Sequence, residues 1–186
     1  MSSVYFGGSR HLEPSHPVYS VLRSVVRQVI MSGCKVHVGC QSGADQGTIW
    51  LGLFSPSSLV VFAVGPSFEL VSPVIERAHH AGASVTLAAG GPQSVPLKAR
   101  YLLRSKAAFA GCGQAVFFQP GPGSLAVARE CIKSSIPVFA FATVEPEPIP
   151  HTAGSWQPVG MHSYYSAFCT QFVQCWQWSS AQLSFI

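Results

Sequence analysis

Residues 4–10 read VYFGGSR, a short apolar run followed directly by two glycines, a serine and an arginine. An apolar run of this length that stops at a turn signal predicts a buried β-strand. Glycine lets a ligand approach the backbone closely, and a guanidinium matches the geometry of a phosphate. This stretch therefore predicts a strand that ends in a turn suited to a phosphate-bearing ligand.

Apolar runs alternate with helical patterns about six times along the chain. The predicted strands are 4–6, 35–38, 59–64, 84–88, 114–118 and 137–142, and the predicted helices are 18–31, 44–53, 73–81, 96–110 and 124–134. The run at 59–64 (LVVFAV) is continuous, as is typical of a strand covered on both faces. The alternation favours an α/β fold with a doubly wound, mainly parallel sheet of about six strands and helices on both faces.

Two further predicted strand ends carry glycine and hydroxyl residues. Residues 39–45 read GCQSGAD and residues 120–124 read PGPGS. In open parallel sheets, ligands bind beyond the carboxyl ends of the strands, where the start of the next helix offers unpaired N–H groups. We expect residues 42–44 to leave an N–H-lined cup and Ser124 to cap its helix while donating to the ligand. Asp45 either caps its own helix or binds ribose hydroxyls.

The order of these three turns resembles the SLOG superfamily. Within that superfamily the chain looks like the YspA-like branch, and it is more distantly similar to the LOG (lysine decarboxylase-like) and DprA/Smf groups. The resemblance covers residues 4–142. It implies a Rossmann-like fold that binds nucleotides, nucleotide sugars or related derivatives at these loops. It also implies a role for Arg104, which falls where such families carry an arginine upstream of the strand that leads into PGGxGT.

The turns and the resemblance together define the predicted ligand-binding set. These residues are Gly7, Gly8, Ser9, Arg10, Gly39, Ser42, Gly43, Ala44, Asp45, Arg104, Pro120, Gly121, Gly123 and Ser124.

One departure from the LOG pattern bears on chemistry. LOG enzymes carry PGGxGTxxE, and the glutamate serves in cleaving the N-glycosidic bond of a nucleoside monophosphate. Counted from Ser124, that position is Val127 here. A carboxylate that stabilises an oxocarbenium-like transition state must lie close to the ribose carbon. The match therefore favours binding over hydrolysis, and the catalytic residues stay unassigned, with Asp45 and Glu130 as candidates.

Three functions follow from this pattern. The leading hypothesis is binding or sensing of a nucleotide-derived small molecule of the nucleotide, ADP-ribose or nucleotide-sugar type. The first alternative is a LOG-like nucleotide N-glycosidase (phosphoribohydrolase) with a rearranged carboxylate. The second is DprA-like binding of single-stranded nucleic acid.

The net charge is +4, but lysine and arginine are spread thinly and are dense only at 96–110. Nucleic-acid grooves usually show basic runs or one basic face, so nucleic acid is expected to be an unlikely partner.

The C-terminal part of the chain has a different composition. Residues 144–150 (VEPEPIP) predict an extended linker that follows a nucleotide-binding domain at 1–143. The rest of 144–186 is rich in aromatics, which predicts a helix or hairpin packed on the domain or a surface in an oligomer interface. With 48% apolar and 10% charged residues, we expect a homo-oligomer.

The same composition bounds the cellular setting. The six cysteines form no CxxC pair and have no histidine at zinc-finger spacing, so we expect no metal. We also expect no cofactor. No run of about 18 apolar residues and no signal-peptide pattern is present, which predicts a cytoplasmic protein without a membrane partner.

Overall fold

The structure is a computed structural model that describes residues 2–165 and 170–180. The strands are β1 (Ser3–Gly8), β2 (Lys35–Val38), β3 (Leu59–Phe62), β4 (Ser84–Thr86), β5 (Gln114–Phe118), β6 (Val138–Ala142), β7 (Gly154–Tyr165) and β8 (Thr170–Ser180). The helices are α1 (Pro17–Met31), α2 (Ala44–Gly52), α3 (Pro73–His80), α4 (Leu97–Phe109) and α5 (Pro122–Lys133). Among the helices of these described residues, none has both the length and the apolarity that crossing a bilayer requires.

The strands form one sheet of eight in the order β4-β3-β2-β1-β5-β6-β8-β7. Neighbours from β4 to β6 pair in parallel, whereas β8 runs antiparallel to both β6 and β7. The predicted fold class, a doubly wound and mainly parallel α/β sheet, is confirmed. The sheet has more than the six expected strands because the aromatic C-terminal segment adds an antiparallel pair.

Alternate side chains of the central strands enter two different cores. In β1, Val4 and Phe6 join the core formed with α1, α2 and α3, whereas Tyr5 joins the core formed with α4 and α5. This alternation follows from the pleat, which sends successive side chains to opposite faces of a sheet. Helices therefore cover both faces, which explains why the central strands are apolar throughout.

The connections place a switch point between β1 and β5. The chain moves outward from β1 to β4 and then returns to β5 on the other side of β1. Two neighbouring loops consequently leave the sheet in opposite directions and open a crevice at the carboxyl ends of these strands. The loops after β1 and β5 are the GGSR and PGPGS turns, so both sequence motifs meet at this crevice.

The hairpin of β7 and β8 forms the sheet edge beside β6. Its outer strand has a register shift between Pro158 and Gly160. The rings of Trp156 and Trp178 meet edge to face, with centroids 5.3 Å apart, in the core shared with α5. Residues 166–169 and 181–186 lie outside the described residues. The domain division at 143/144 and the homo-oligomer both stay predictions.

Candidate functional site

A cleft of about 710 Å³ opens at the switch point, between α4 and the start of α5. This volume lies within the range of roughly 300–1,000 Å³ that is typical of small-molecule sites. The predicted ligand-binding residues that line it are Gly7, Gly8, Ser9, Arg10, Arg104, Gly121, Gly123 and Ser124. The others, Gly39, Ser42, Gly43, Ala44, Asp45 and Pro120, are not in its lining.

Hydrogen bonds fix the GGSR turn against β5 and α5. The Ser9 N–H donates to the Phe118 carbonyl at 3.0 Å, and the Ser124 hydroxyl donates to the Gly8 carbonyl at 2.8 Å. The prediction that Ser124 caps α5 is wrong, because Gly121 occupies the cap position and no side chain caps the helix. The serine hydroxyl instead ties the helix start to the turn, so the two loops form one unit.

The second turn, residues 39–45, is hydrogen-bonded to the GGSR turn. The Ala44 N–H donates to the Ser9 carbonyl at 3.0 Å, and the Ser42 hydroxyl donates to the Arg10 carbonyl at 3.1 Å. Gly43 has a φ of +70°, and a Cβ there would lie 2.2 Å from the Ser9 carbonyl oxygen. The expected N–H-lined cup at 42–44 is therefore occupied by the neighbouring loop, and Gln41 is the member of this turn that reaches the cleft.

Open space and unpaired N–H groups meet at the start of α5. A Cβ built on Gly121 or Gly123 would have no heavy atom within 4 Å. The first-turn N–H groups of a helix have no partner within it, and the helix dipole places partial positive charge there. A ligand anion can therefore approach the backbone at Gly123 and Ser124 without displacing a side chain.

Arg104 and Asp45 form a buried ion pair under the cleft. Their side chains are 4% and 7% exposed, and Nη1 of Arg104 lies 3.3 Å from Oδ2 of Asp45. The Gln41 N–H donates to the same carboxylate oxygen at 3.0 Å. Burial raises the pKa of Asp45, and the guanidinium opposes that rise. A Cβ on Gly39 would lie 1.1 Å from Nη1 of Arg104, so the glycine makes room for this pair.

The ion pair leaves one N–H group of the Arg104 guanidinium without a partner among the described residues. Nε of Arg104 is buried and has no hydrogen-bond partner among the described residues, while the side chain lines the cleft. A buried donor without a partner is costly, so a ligand oxygen that accepts from this guanidinium would recover the lost interaction. Asp45 thus pairs with Arg104 outside the cleft lining, and its role as a ligand-binding residue stays a prediction.

The charges that face the cleft have one sign. Arg10, Lys98 and Arg104 line it together with His11, and no carboxylate belongs to the lining within residues 2–165 and 170–180. These cations come from the turn after β1 and from α4, the segment in which lysine and arginine are densest in the sequence. The electrostatics of the cleft therefore favour an anionic ligand.

The carboxylates proposed for catalysis lie elsewhere. Val127, at the position of the LOG glutamate, lines the cleft. Glu130 lies further along α5, where its carboxylate meets Lys106 at 2.7 Å, Lys133 at 3.0 Å and Arg129 at 3.2 Å. The described part of the chain also holds no group of three or more His, Cys, Asp or Glu side chains placed to bind a metal. The catalytic roles of Asp45 and Glu130 stay predictions.

The surroundings of Glu130 predict a pH effect on stability. Hydrogen bonds from Lys106 and Lys133 lower the pKa of Glu130 to about 2. Because its pKa is lower in the folded than in the unfolded state, the stabilisation is complete above the unfolded pKa and is lost as pH falls toward 2. Between about pH 6 and pH 2, the free energy of unfolding measured with urea should fall by about 1 kcal/mol more for wild type than for Glu130→Gln. The effect is this small because solvent screens the exposed lysines. Parallel pH profiles for the two proteins would contradict this expectation.

Sequence reasoning missed part of the α4 wall. Lys98 and Tyr101 precede Arg104 at intervals of three, which places all three on one face of the helix. That spacing is the signal that could have assigned them to the cleft. Arg100, by contrast, donates from Nη2 to the Val64 carbonyl at 2.7 Å and ties α4 to the chain after β3.

Comparison by sequence finds no matching family model and no matching curated protein. By structure, the chain is similar to DNA processing protein A from Helicobacter pylori, with 18% identity and a TM-score of 0.61 over 80% of this chain and 67% of that one. It is also similar to DNA processing protein A (DprA) from Streptococcus pneumoniae, with 18% identity and a TM-score of 0.61 over 81% of this chain and 52% of that one. The chain thus spans part of the length of each.

This likeness corrects one expectation. The Helicobacter pylori structure concerns a single-stranded DNA binding mode, so the expectation that nucleic acid is an unlikely partner is wrong. That expectation looked for basic runs along the sequence, whereas folding places Lys98 and Arg104 of α4 in one cleft with Arg10 of the GGSR turn. At 18% identity the likeness shows the fold. The chain has a Rossmann-like fold similar to that of DNA processing protein A.

Proposed function

We propose that the chain binds single-stranded DNA through the cleft at the switch point. The observation that carries this proposal is the cleft itself, where the GGSR turn, the start of α5 and Arg104 converge and no carboxylate belongs to the described lining. Phosphate oxygens are the most frequent protein contacts of nucleic acids, and they favour such surfaces without regard to sequence.

The contacts within the cleft suggest how a backbone phosphate binds. One phosphate oxygen accepts from the N–H groups of Gly123 and Ser124 at the start of α5. The guanidinium of Arg104, whose Nε has no partner among the described residues, supplies a buried donor nearby. Arg10 and Lys98 are exposed and add charge at the rim, where they attract the strand electrostatically.

The similar solved structures support the choice of ligand. The Helicobacter pylori protein that shares this fold has a single-stranded DNA binding mode. The order of the three turns supports a finer proposal, that the chain is a SLOG-type protein of the YspA-like branch. We further propose that residues 1–143 form the binding domain and that residues 144–186 are a linker and an aromatic-rich segment packed on this domain or at an oligomer interface.

A free nucleotide-derived small molecule is the second candidate ligand. The observation that favours it is the size of the cleft, because about 710 Å³ suits a mononucleotide or a dinucleotide as well as a strand segment. Phosphate chemistry is common to both candidates, so separating them requires binding measurements with both oligonucleotides and free nucleotides.

A salt titration tests the proposed function. We expect a fluorescent oligo(dT) of about 20 nucleotides to bind more weakly as salt rises, with Arg10→Ala and Lys98→Ala each losing severalfold affinity. Each lost phosphate contact should lower the slope of log affinity against log salt by about 0.7 for single strands. Anisotropy measures both. Arg27→Ala is the matched control, because Arg27 is exposed on α1 and does not line the cleft.

Three outcomes separate the candidates. Binding that the two cleft variants weaken and Arg27→Ala leaves unchanged supports the strand proposal. A thermal shift with ADP-ribose or AMP, without oligonucleotide binding, favours the small-molecule ligand. Equal losses in the cleft variants and the control would contradict a site in the cleft.

A further inference from the structure

We propose that Tyr101 is a base-stacking platform, so that the cleft recognises a nucleobase together with its phosphate. The inference rests on the proposed function, since it assigns a binding surface to the base of the nucleotide whose phosphate the cleft binds. It concerns the apolar part of the α4 wall, which lies beside the proposed phosphate contacts Lys98 and Arg104.

The two walls of the cleft differ in chemistry. The GGSR turn and the start of α5 present glycines, serines and Arg10, which suit a phosphate. The α4 wall adds Leu97, Tyr101 and Leu102 beside the cations Lys98 and Arg104. These three apolar or aromatic residues offer little to a phosphate, but they suit the flat apolar surface of a base.

The environments of the two tyrosines in the lining single out Tyr101. Tyr5 is 3% exposed and its ring packs edge to face against Phe109 and Phe117. Burial raises the pKa of Tyr5 far above its ordinary value, as expected of a core side chain. Tyr101 is half-buried and lies on the cleft-lining face of α4. It is therefore the tyrosine whose ring a ligand can contact.

Arg104 fixes the position of this ring. Its Cζ lies 5.8 Å from the centroid of the Tyr101 ring, within the range of a cation–π contact. Because Asp45 holds the guanidinium in place, the ring and a phosphate-binding donor are kept side by side. A nucleotide carries its base and its phosphate on one sugar, so one ligand can contact both the ring and the donor.

Exposed apolar surface at the cleft also favours a nucleobase as the group that binds there. Leu97 is 56% exposed although it lines the cleft. A base stacked on Tyr101 would remove part of this surface from water, which inorganic phosphate cannot do. Stacking uses the π-face that every base has, so we expect oligomers of thymidine, deoxyadenosine and deoxycytidine to bind within a few fold of one another.

The test compares ligands with and without bases. Wild type should bind oligo(dT) more tightly than an abasic oligomer of equal length. Tyr101→Ala and Tyr101→Leu should weaken oligo(dT) binding about 5- to 100-fold, the range of one lost stack, and leave binding of the abasic oligomer unchanged. Tyr101→Phe should keep the wild-type preference. Leu103→Ala is the control, because Leu103 is exposed on α4 and lies outside the lining.

The outcomes distinguish this inference from the proposed function. Wild-type binding of oligo(dT) that Tyr101→Leu leaves unchanged overturns the stacking role and leaves the proposed function standing. Equal wild-type affinity for the two oligomers overturns it as well. If no oligomer binds, thermal shifts with AMP and ribose 5-phosphate decide: a larger shift for AMP that Tyr101→Leu removes supports the platform on a free nucleotide. Equal shifts, or none, overturn it.

Discussion

Replacing Asp45 with alanine is expected to lower the free energy of unfolding by about 3–5 kcal/mol, the usual cost of breaking a buried ion pair on one side. Asp45 and Arg104 are both nearly inaccessible to water, and their closest atoms are 3.3 Å apart. Without the carboxylate, the guanidinium stays buried with its charge unbalanced. Gly39→Ala should have a comparable effect, because its Cβ would occupy the position of the guanidinium.

A double-mutant cycle separates the pair from the loss of either side chain. Arg104→Met keeps most of the buried volume, and the double variant Asp45→Ala/Arg104→Met should lose clearly less stability than the sum of the two single variants. Urea unfolding at neutral pH measures all four proteins. Glu130→Gln serves as the control for a pair whose lysine partners are exposed, and we expect it to cost about 1 kcal/mol. Additive losses, or a loss below 1 kcal/mol for Asp45→Ala, would contradict the coupling.

Replacing Gly123 with aspartate is expected to reduce oligonucleotide affinity roughly 100-fold, because like charges brought together cost several kcal/mol. The new carboxylate would stand in the open space at the start of α5, where the proposed phosphate binds. Stability should stay constant or rise by about 0.5 kcal/mol, since an acidic side chain is favourable in the first turn of a helix. Binding and stability would thus change independently.

Gly123→Asn isolates the role of charge in this result. Asparagine has nearly the shape of aspartate, so a loss with both variants reports steric exclusion, and a much larger loss with aspartate reports repulsion. Anisotropy gives the affinity and thermal unfolding gives the stability. Full binding by Gly123→Asp would place the phosphate elsewhere and contradict the proposed cradle.

Local sequence patterns predicted the central strands well. The strands β2 and β5 begin and end where the apolar runs predict, because glycine or proline lies near their ends. The predicted strand at 59–64 ends earlier, at Phe62, where its parallel register with the three-residue strand β4 also ends. The aromatic spacing after residue 150 suited either a helix or a hairpin, and long-range pairing with β6 determines the observed hairpin.

The site was harder to predict, for a physical reason. Arg104 and Asp45 are separated by 59 positions in the sequence. Their contact also requires a residue without a side chain at position 39, because a Cβ on Gly39 would overlap the guanidinium. Sequence patterns marked both as ligand-binding residues, but they contain no information on which polar groups pair with each other. Ser124 shows the same limit, because the partner of its hydroxyl is a carbonyl 116 positions away.

The irregular outer strand of the C-terminal hairpin has a consequence for association. An exposed strand edge is a template for pairing with other chains, and such pairing leads to aggregation. In β7, Pro158 has no N–H to donate, and the register shift beside it interrupts a continuous ladder. At the opposite edge, β4 offers only three residues. Both margins of this largely apolar sheet therefore resist the edge-to-edge growth by which β-rich proteins form insoluble assemblies.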